Sequence, residues 1–164
     1  MGGCKSEKAG PTPSRASGRA GAPQLQAGAT KLDDILVTSF TQAYATPRLN
    51  ANISEDALSV GGRRYQTGFG THAISRIEIS FPARYKTFMG SCGVDDEVQT
   101  RGSVVFKILN GEKVLFESPL MKGGMKAADF SVPVDGLSSL ALIVGDGGDD
   151  DHFDHADWVD LKLR

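Results

Sequence analysis

The sequence predicts an all-β domain, a β-sandwich of jelly-roll type, on three observations. Beyond residue 31, apolar and polar residues alternate at period two through most of the chain. The alternating runs are short, about eight in number, and recur at roughly 8- to 12-residue spacing between Gly, Pro, Asn and Asp. No stretch carries an apolar stripe sustained over three helical turns. At 164 residues, the length fits one domain with a sizeable core.

Residues 1–31 stand apart. They are rich in Ala, Gly, Pro and Ser with almost no large apolar side chain, so they cannot offset the entropy of ordering and are expected to form a disordered tether. Their net charge is +4, which leaves −6 on residues 32–164. The opening "MGGCKS" fits an N-myristoylation pattern at Gly2, with Ser6 in the required place and Cys4 open to palmitoylation. It also fits the remnant of a bacterial lipoprotein signal, in which Cys4 carries the lipid, or a plain tail. The lipoprotein reading implies an extracytoplasmic or cell-surface location, although no complete secretory signal is present.

The body then reads element by element. "KLDDILVTSF" (31–40) is the best candidate for a short helix or turn. "RIEISF" (76–81) is a strand with Ile77, Ile79 and Phe81 on one face. "FMGSCGV" (88–94) aligns Phe88, Gly90, Cys92 and Val94, so Cys92 reads as a small core residue. "SVVFKIL" (103–109) aligns Val104, Phe106 and Ile108, and "EKVLFES" (112–118) aligns Val114 and Phe116. "NGE" between those two runs predicts a hairpin turn. "ADFSVPV" (128–134) and "SSLALIV" (138–144) continue the series, and Pro82, Pro119 and Pro133 fall at strand ends or edges, where a missing N–H is tolerated. "WVDLKL" (158–163) ends it, with Val159, Leu161 and Leu163 inward and Trp158 on the other face.

The acidic body argues against nucleic acid, whose phosphates need a basic face. No apolar run reaches the roughly 20 residues of a transmembrane segment. Chemistry concentrates in "DGGDDDHFDHADW" (146–158), which holds six Asp, two of the three His and the only Trp. Its spacing is not that of an EF-hand. Calcium held by carboxylates suits so oxygen-rich a loop, zinc through His152 and His155 is a weaker fit without Cys, and a glycosidase-type carboxylate pair lacks a cleft to work in. "GGRRYQTGFGTHAIS" (61–75) presents Tyr65 and His72, and "GVDDE" (93–97) ends a strand in three carboxylates.

In order and spacing, "GGRRYQTGFGTHAIS", "ARYKTFMGSCGVDDE", "GSVVFKILNGEKVLFES" and "DGGDDDHFDHADW" resemble the NPCBM family, carbohydrate-binding modules of the glycosyl hydrolase family 98 type. The resemblance spans residues 32–164. It implies a galactose-binding-domain-like sandwich that is not an enzyme, recognises a terminal sugar of a glycan, possibly galactose-like, and works beside a glycoside hydrolase. The expected sugar contacts are Tyr65, His72 and Trp158, with Asp95, Asp154, His155 and Asp157 as polar contacts or loop organisers. A Ca2+ ion would take Asp96, Glu97 and Asp151. Trp158 facing a ligand or packing beneath the loops are both open readings. Two positions depart from the family: Asp150 stands where Gly is usual, and "QAYAT" (42–46) offers Tyr44 where a Trp-containing segment is usual. A surface scaffold that binds protein instead of sugar is the competing reading, since fold does not fix function.

Overall fold

The computed structural model describes Leu25 and residues 31–164. Cys4 and its lipidation lie outside the described residues. The strands, in chain order, begin with β1 (Lys31–Leu32), β2 (Ile35–Gln42), β3 (Arg48–Leu49), β4 (Ser59–Val60) and β5 (Arg63–Arg64). They continue with β6 (Gly68–His72), β7 (Ser75–Ser80), β8 (Thr87–Val94), β9 (Ser103–Asn110) and β10 (Lys113–Glu117). The last are β11 (Met121–Lys122), β12 (Ala128–Pro133), β13 (Ser139–Gly145) and β14 (His155–Leu163). A single 3-10 turn, Asp96–Val98, follows β8, and no α-helix occurs among the described residues.

Two antiparallel sheets form the sandwich. One runs β1-β2-β7-β13-β9-β10, with β11 also on β9, and the other runs β12-β8-β14-β6-β3. The core lies between them: Ile77, Ile79, Phe106, Ile108, Leu142 and Val144 from the first sheet meet Phe69, Phe88, Cys92, Phe130 and Trp158 from the second. Each fully buried large side chain of this kind stabilises the fold by about 1.5–3 kcal/mol. The β9–β10 hairpin turns through Gly111 and Glu112 between the paired Asn110 and Lys113, and Gly111 takes the positive φ (59°) that such turns need. Pro133 sits on β12, an edge strand, where its absent N–H leaves no ladder bond unmade.

Four expectations need correction. "KLDDILVTSF" is β1 and most of β2, not a helix; Ile35 and Val37 point into the core and a bulge between Val37 and Ser39 resets the pairing to β7. Val114 is exposed, because a bulge between Val114 and Phe116 breaks the alternation on edge strand β10 and leaves Phe116 alone to pack on Phe130. In β14 both Trp158 and Val159 are buried, on opposite faces. A bulge between Val159 and Lys162, with Asp160 at φ 52°, then returns Leu161 to the face of Trp158. Val159 is covered instead by Leu58, Val60 and Tyr65, which the small β4–β5 hairpin region brings over the sheet. Finally, packing reaches upstream of residue 32: Leu25 is buried in the main core and its N–H donates to the Pro47 carbonyl at 3.1 Å.

Candidate functional site

Strand register assembles one end of the sandwich. β2 ends at Gln42, β6 at His72, β8 at Val94 and β13 at Gly145, while β14 starts at His155. His155 pairs directly with His72, and Ala156 with Val94. Loops 43–47, 95–102 and 146–154 therefore gather where these strands stop. Tyr44, His72, Asp151, His152, Phe153 and His155 line a cleft there of about 320 Å³, at the small end of the range of ligand pockets. Tyr44 is 60% exposed, with its ring centroid 5.1 Å from that of His72, which is in turn 5.3 Å from that of His155.

Both imidazoles are held by their Nδ1 atoms. That of His72 meets the Ala73 carbonyl at 2.5 Å, so Nδ1–H donates and Nε2 is an acceptor. Burial lowers the His72 pKa, aided by His155 and opposed by the Ala73 bond, so the ring is neutral at pH 7. That of His155 is bound to the Glu97 carboxylate. Burial acts to raise the Glu97 pKa, but hydrogen bonds from His155 and Ser54 outweigh it and the group stays ionised. Two Nε2 atoms are thereby available beside an exposed aromatic ring.

Beneath the cleft, carboxylates organise loops. Asp95 is buried and accepts from Asn52 Nδ2 (3.2 Å), Ser59 N (3.2 Å) and Glu97 N (2.9 Å), capping the turn that carries Glu97. Asp157 is buried beside it, and neither of its oxygens finds a donor among the described residues. Burial first, then the Asp95 carboxylate, pushes its pKa well above the usual carboxylate range. Asp154 is also buried; one oxygen accepts from Ser103 N at 2.7 Å, and burial with the charges of Asp149, Asp146 and Asp150 lifts its pKa to about 7.

Of the residues singled out from sequence, the structure unites His72 and His155 in the cleft, buries Asp95 and Asp154 as loop organisers, and buries Asp157 with no hydrogen-bond partner among the described residues. Trp158 is not a surface platform. It is fully buried, edge-on to Phe106 (4.9 Å) and Phe130 (5.8 Å), because the strand carries it between the sheets. Tyr65 is also mostly buried, under the Arg63 guanidinium (4.8 Å), and lines a separate depression with Lys126 and Asp129. The three carboxylates assigned to calcium do not converge. Asp96 accepts from Ser59 Oγ (2.5 Å) and Gly62 N (2.8 Å), Glu97 holds His155, and Asp151 borders the cleft. Among the described residues no three His, Cys, Asp or Glu side chains are placed together to hold a metal. Sequence reasoning passed over Phe153, whose only signal was a lone aromatic among acids, and weighed Tyr44 only as a departure from the family pattern.

Comparison with known proteins follows the same lines. The family model described as NPCBM/NEW2 domain matches residues 28–164. An alpha-1,3-galactosidase B of Akkermansia muciniphila is 39% identical over 160 residues, which is 95% of this chain and 20% of that protein. The CBM51 module of a Clostridium perfringens GH95 protein, solved in complex with methyl-galactose, superposes with TM-score 0.73 at 31% identity, covering 78% of this chain and 94% of that one. The structure of the M60 catalytic domain with two CBM51 domains from C. perfringens ZmpB matches with TM-score 0.70 at 30% identity over 77% of this chain and 14% of that one. The chain thus spans a fifth or less of the length of the curated relatives it matches.

Proposed function

The chain belongs to the NPCBM/NEW2 domain family, and from that premise we propose that it is a non-catalytic carbohydrate-binding module whose site is the cleft between Tyr44, His72 and His155. The observation that carries this reading is the paired imidazoles. Each has Nδ1 occupied by the protein, on Ala73 or on Glu97, so each turns Nε2 to whatever enters. The acceptor Nε2 of His72 and the Nε2 of His155 suit neighbouring hydroxyls of one sugar ring, while Tyr44 offers an apolar face to its C–H groups. The buried Asp95 and Asp154 accept from backbone N–H groups of Glu97 and Ser103 and serve the loops.

Galactose is the favoured terminal sugar, since the module solved with methyl-galactose is 31% identical over nearly its whole length. One shallow site binds weakly, so useful strength would come from multivalent display or a partner enzyme. The relatives carry such a module as a small part of a larger protein, which supports work beside a glycoside hydrolase outside the cytoplasm. Anchoring through a lipid on Cys4 fits that location, and no described helix is long and apolar enough to cross a membrane.

A glycan-array screen of the full chain tests the proposal. A confined set of galactose-terminated glycans should bind, equally with calcium and with a chelator, because Asp96 and Glu97 already have protein partners. A blank array from protein shown to be folded would overturn it and leave the protein-binding scaffold.

A further inference from the structure

Phe153 is the least expected residue of the cleft. It is 44% exposed and has φ 63°, in the left-handed region that costs a side chain with a Cβ free energy. An aromatic ring left in water on a strained backbone needs a reason, and the surroundings show the conformation is enforced. The Arg101 guanidinium lies 4.0 Å from the ring centroid, and Arg101 Nε donates to the Val98 carbonyl at 3.3 Å. Gly102 approaches so closely that a Cβ there would sit 2.3 Å from the Phe153 carbonyl oxygen. Ser103 closes the clasp, its N–H on Asp154 and its Oγ on Asp149 at 2.7 Å. The acidic loop is thus fastened to the 99–103 segment on both sides of one ring, and that ring lines the cleft with Tyr44 and the two His.

We infer that Phe153 is a ligand-contacting ring, stacked on the C–H face of the bound sugar, and that Arg101 is the residue that positions it. The inference rests on the sugar-binding reading of the cleft and adds a determinant of ligand class. A galactose-like ring has an axial 4-hydroxyl, which leaves H3, H4 and H5 together on the opposite face. An aromatic ring meets that apolar face well, while the His Nε2 atoms take hydroxyls at the ring edge. The guanidinium covers one face of Phe153 and leaves the other for the sugar.

The test is titration calorimetry of the full chain with methyl galactoside, with thermal melting alongside. Phe153→Gly removes the ring and relieves the strained φ, so it should melt within a few degrees of the wild type yet bind about tenfold more weakly. Phe153→Leu should lose a similar amount. Arg101→Ala should weaken binding by less, and Arg101→Lys, which keeps the cation, should restore it. In the wild type, nuclear Overhauser contacts should join labelled Phe ring protons to sugar H3, H4 and H5. Undiminished binding by both Phe153 variants would overturn the inference while the function stands. A wild type that binds no methyl galactoside would sink the galactose reading and this inference with it.

Discussion

At the scale of single residues, the cleft separates side chains that face a ligand from those that hold the chain in place. Tyr44 is of the first kind: its ring is mostly in solvent beside His72, and its backbone oxygen accepts from Gln42 Nε2 at 2.6 Å. Tyr44→Ala is therefore expected to lower sugar affinity about tenfold without moving the melting temperature, and Tyr44→Trp to retain it; calorimetry and melting together check both. Asp154 is of the second kind, and its charge works against the fold. A carboxyl whose pKa is raised from 3.8 to about 7 by burial gives its full stabilisation below about pH 4 and loses it as pH climbs through 7. Asp154→Asn keeps an oxygen for Ser103 N and carries no charge. The melting temperature of the variant relative to the wild type should rise steadily between pH 5 and pH 8, and a pH-independent difference would refute this account. His72 and the organising carboxylates were visible in the sequence as residue types. Their division into contacts and supports was not, because it depends on partners such as Ser103 and Asn52, far away along the chain.

At the scale of elements, period-two alternation located the long strands well, since a strand with one face on a core must alternate. β7, β8, β9, β12 and β13 bury the larger apolar residues their patterns nominate. The misreadings all fall where an extra residue interrupts the ladder, in β2, β10 and β14, and a bulge has no reliable signature in side-chain type. β14 shows what such a residue accomplishes. Its bulge lets Trp158 and Leu161 share the main core although three positions separate them, and the Asp160 N–H finds the Thr67 carbonyl at 3.1 Å. Deleting Asp160 should close the bulge and restore period two with Leu161 still on the Trp158 face, so that unfolding stays cooperative at a lowered melting temperature for want of the Asp160 N–H bond to Thr67, and Asp160→Gly, which suits φ 52°, should melt at or above the wild-type temperature. Circular dichroism melts of the two variants distinguish a required insertion from a tolerated one.

At the scale of the whole molecule, the jelly-roll class was legible from strand count and spacing, and the four motifs pointed to the family before any coordinates. The upstream boundary was not, because a lone Leu in a Gly- and Pro-rich stretch looks like linker until its burial is seen. Leu25 enters the core and holds the Pro47 carbonyl, just beyond the loop that carries Tyr44. A fragment starting at residue 31 should therefore be less stable than one starting at residue 20, by about 1.5–3 kcal/mol in urea unfolding, and Leu25→Ala in the longer fragment should reproduce most of the loss. Equal stability of the two fragments would show that residues before 31 do not support the fold.

Cys92 lies at the middle of the molecule, opposite Trp158 in the strand ladder, with no exposed surface and a thiol whose pKa burial drives far up. Such a sulfur can meet a thiol reagent only when the two sheets part. Once Cys4 has been blocked, the labelling rate of Cys92 becomes a clock for the opening of the whole sandwich. A sugar that binds only the closed form should slow that clock by a factor of one plus the ratio of free sugar to Kd, leaving a rate in proportion to the fraction unoccupied, so affinity could be read from a chemical rate with no label on the ligand.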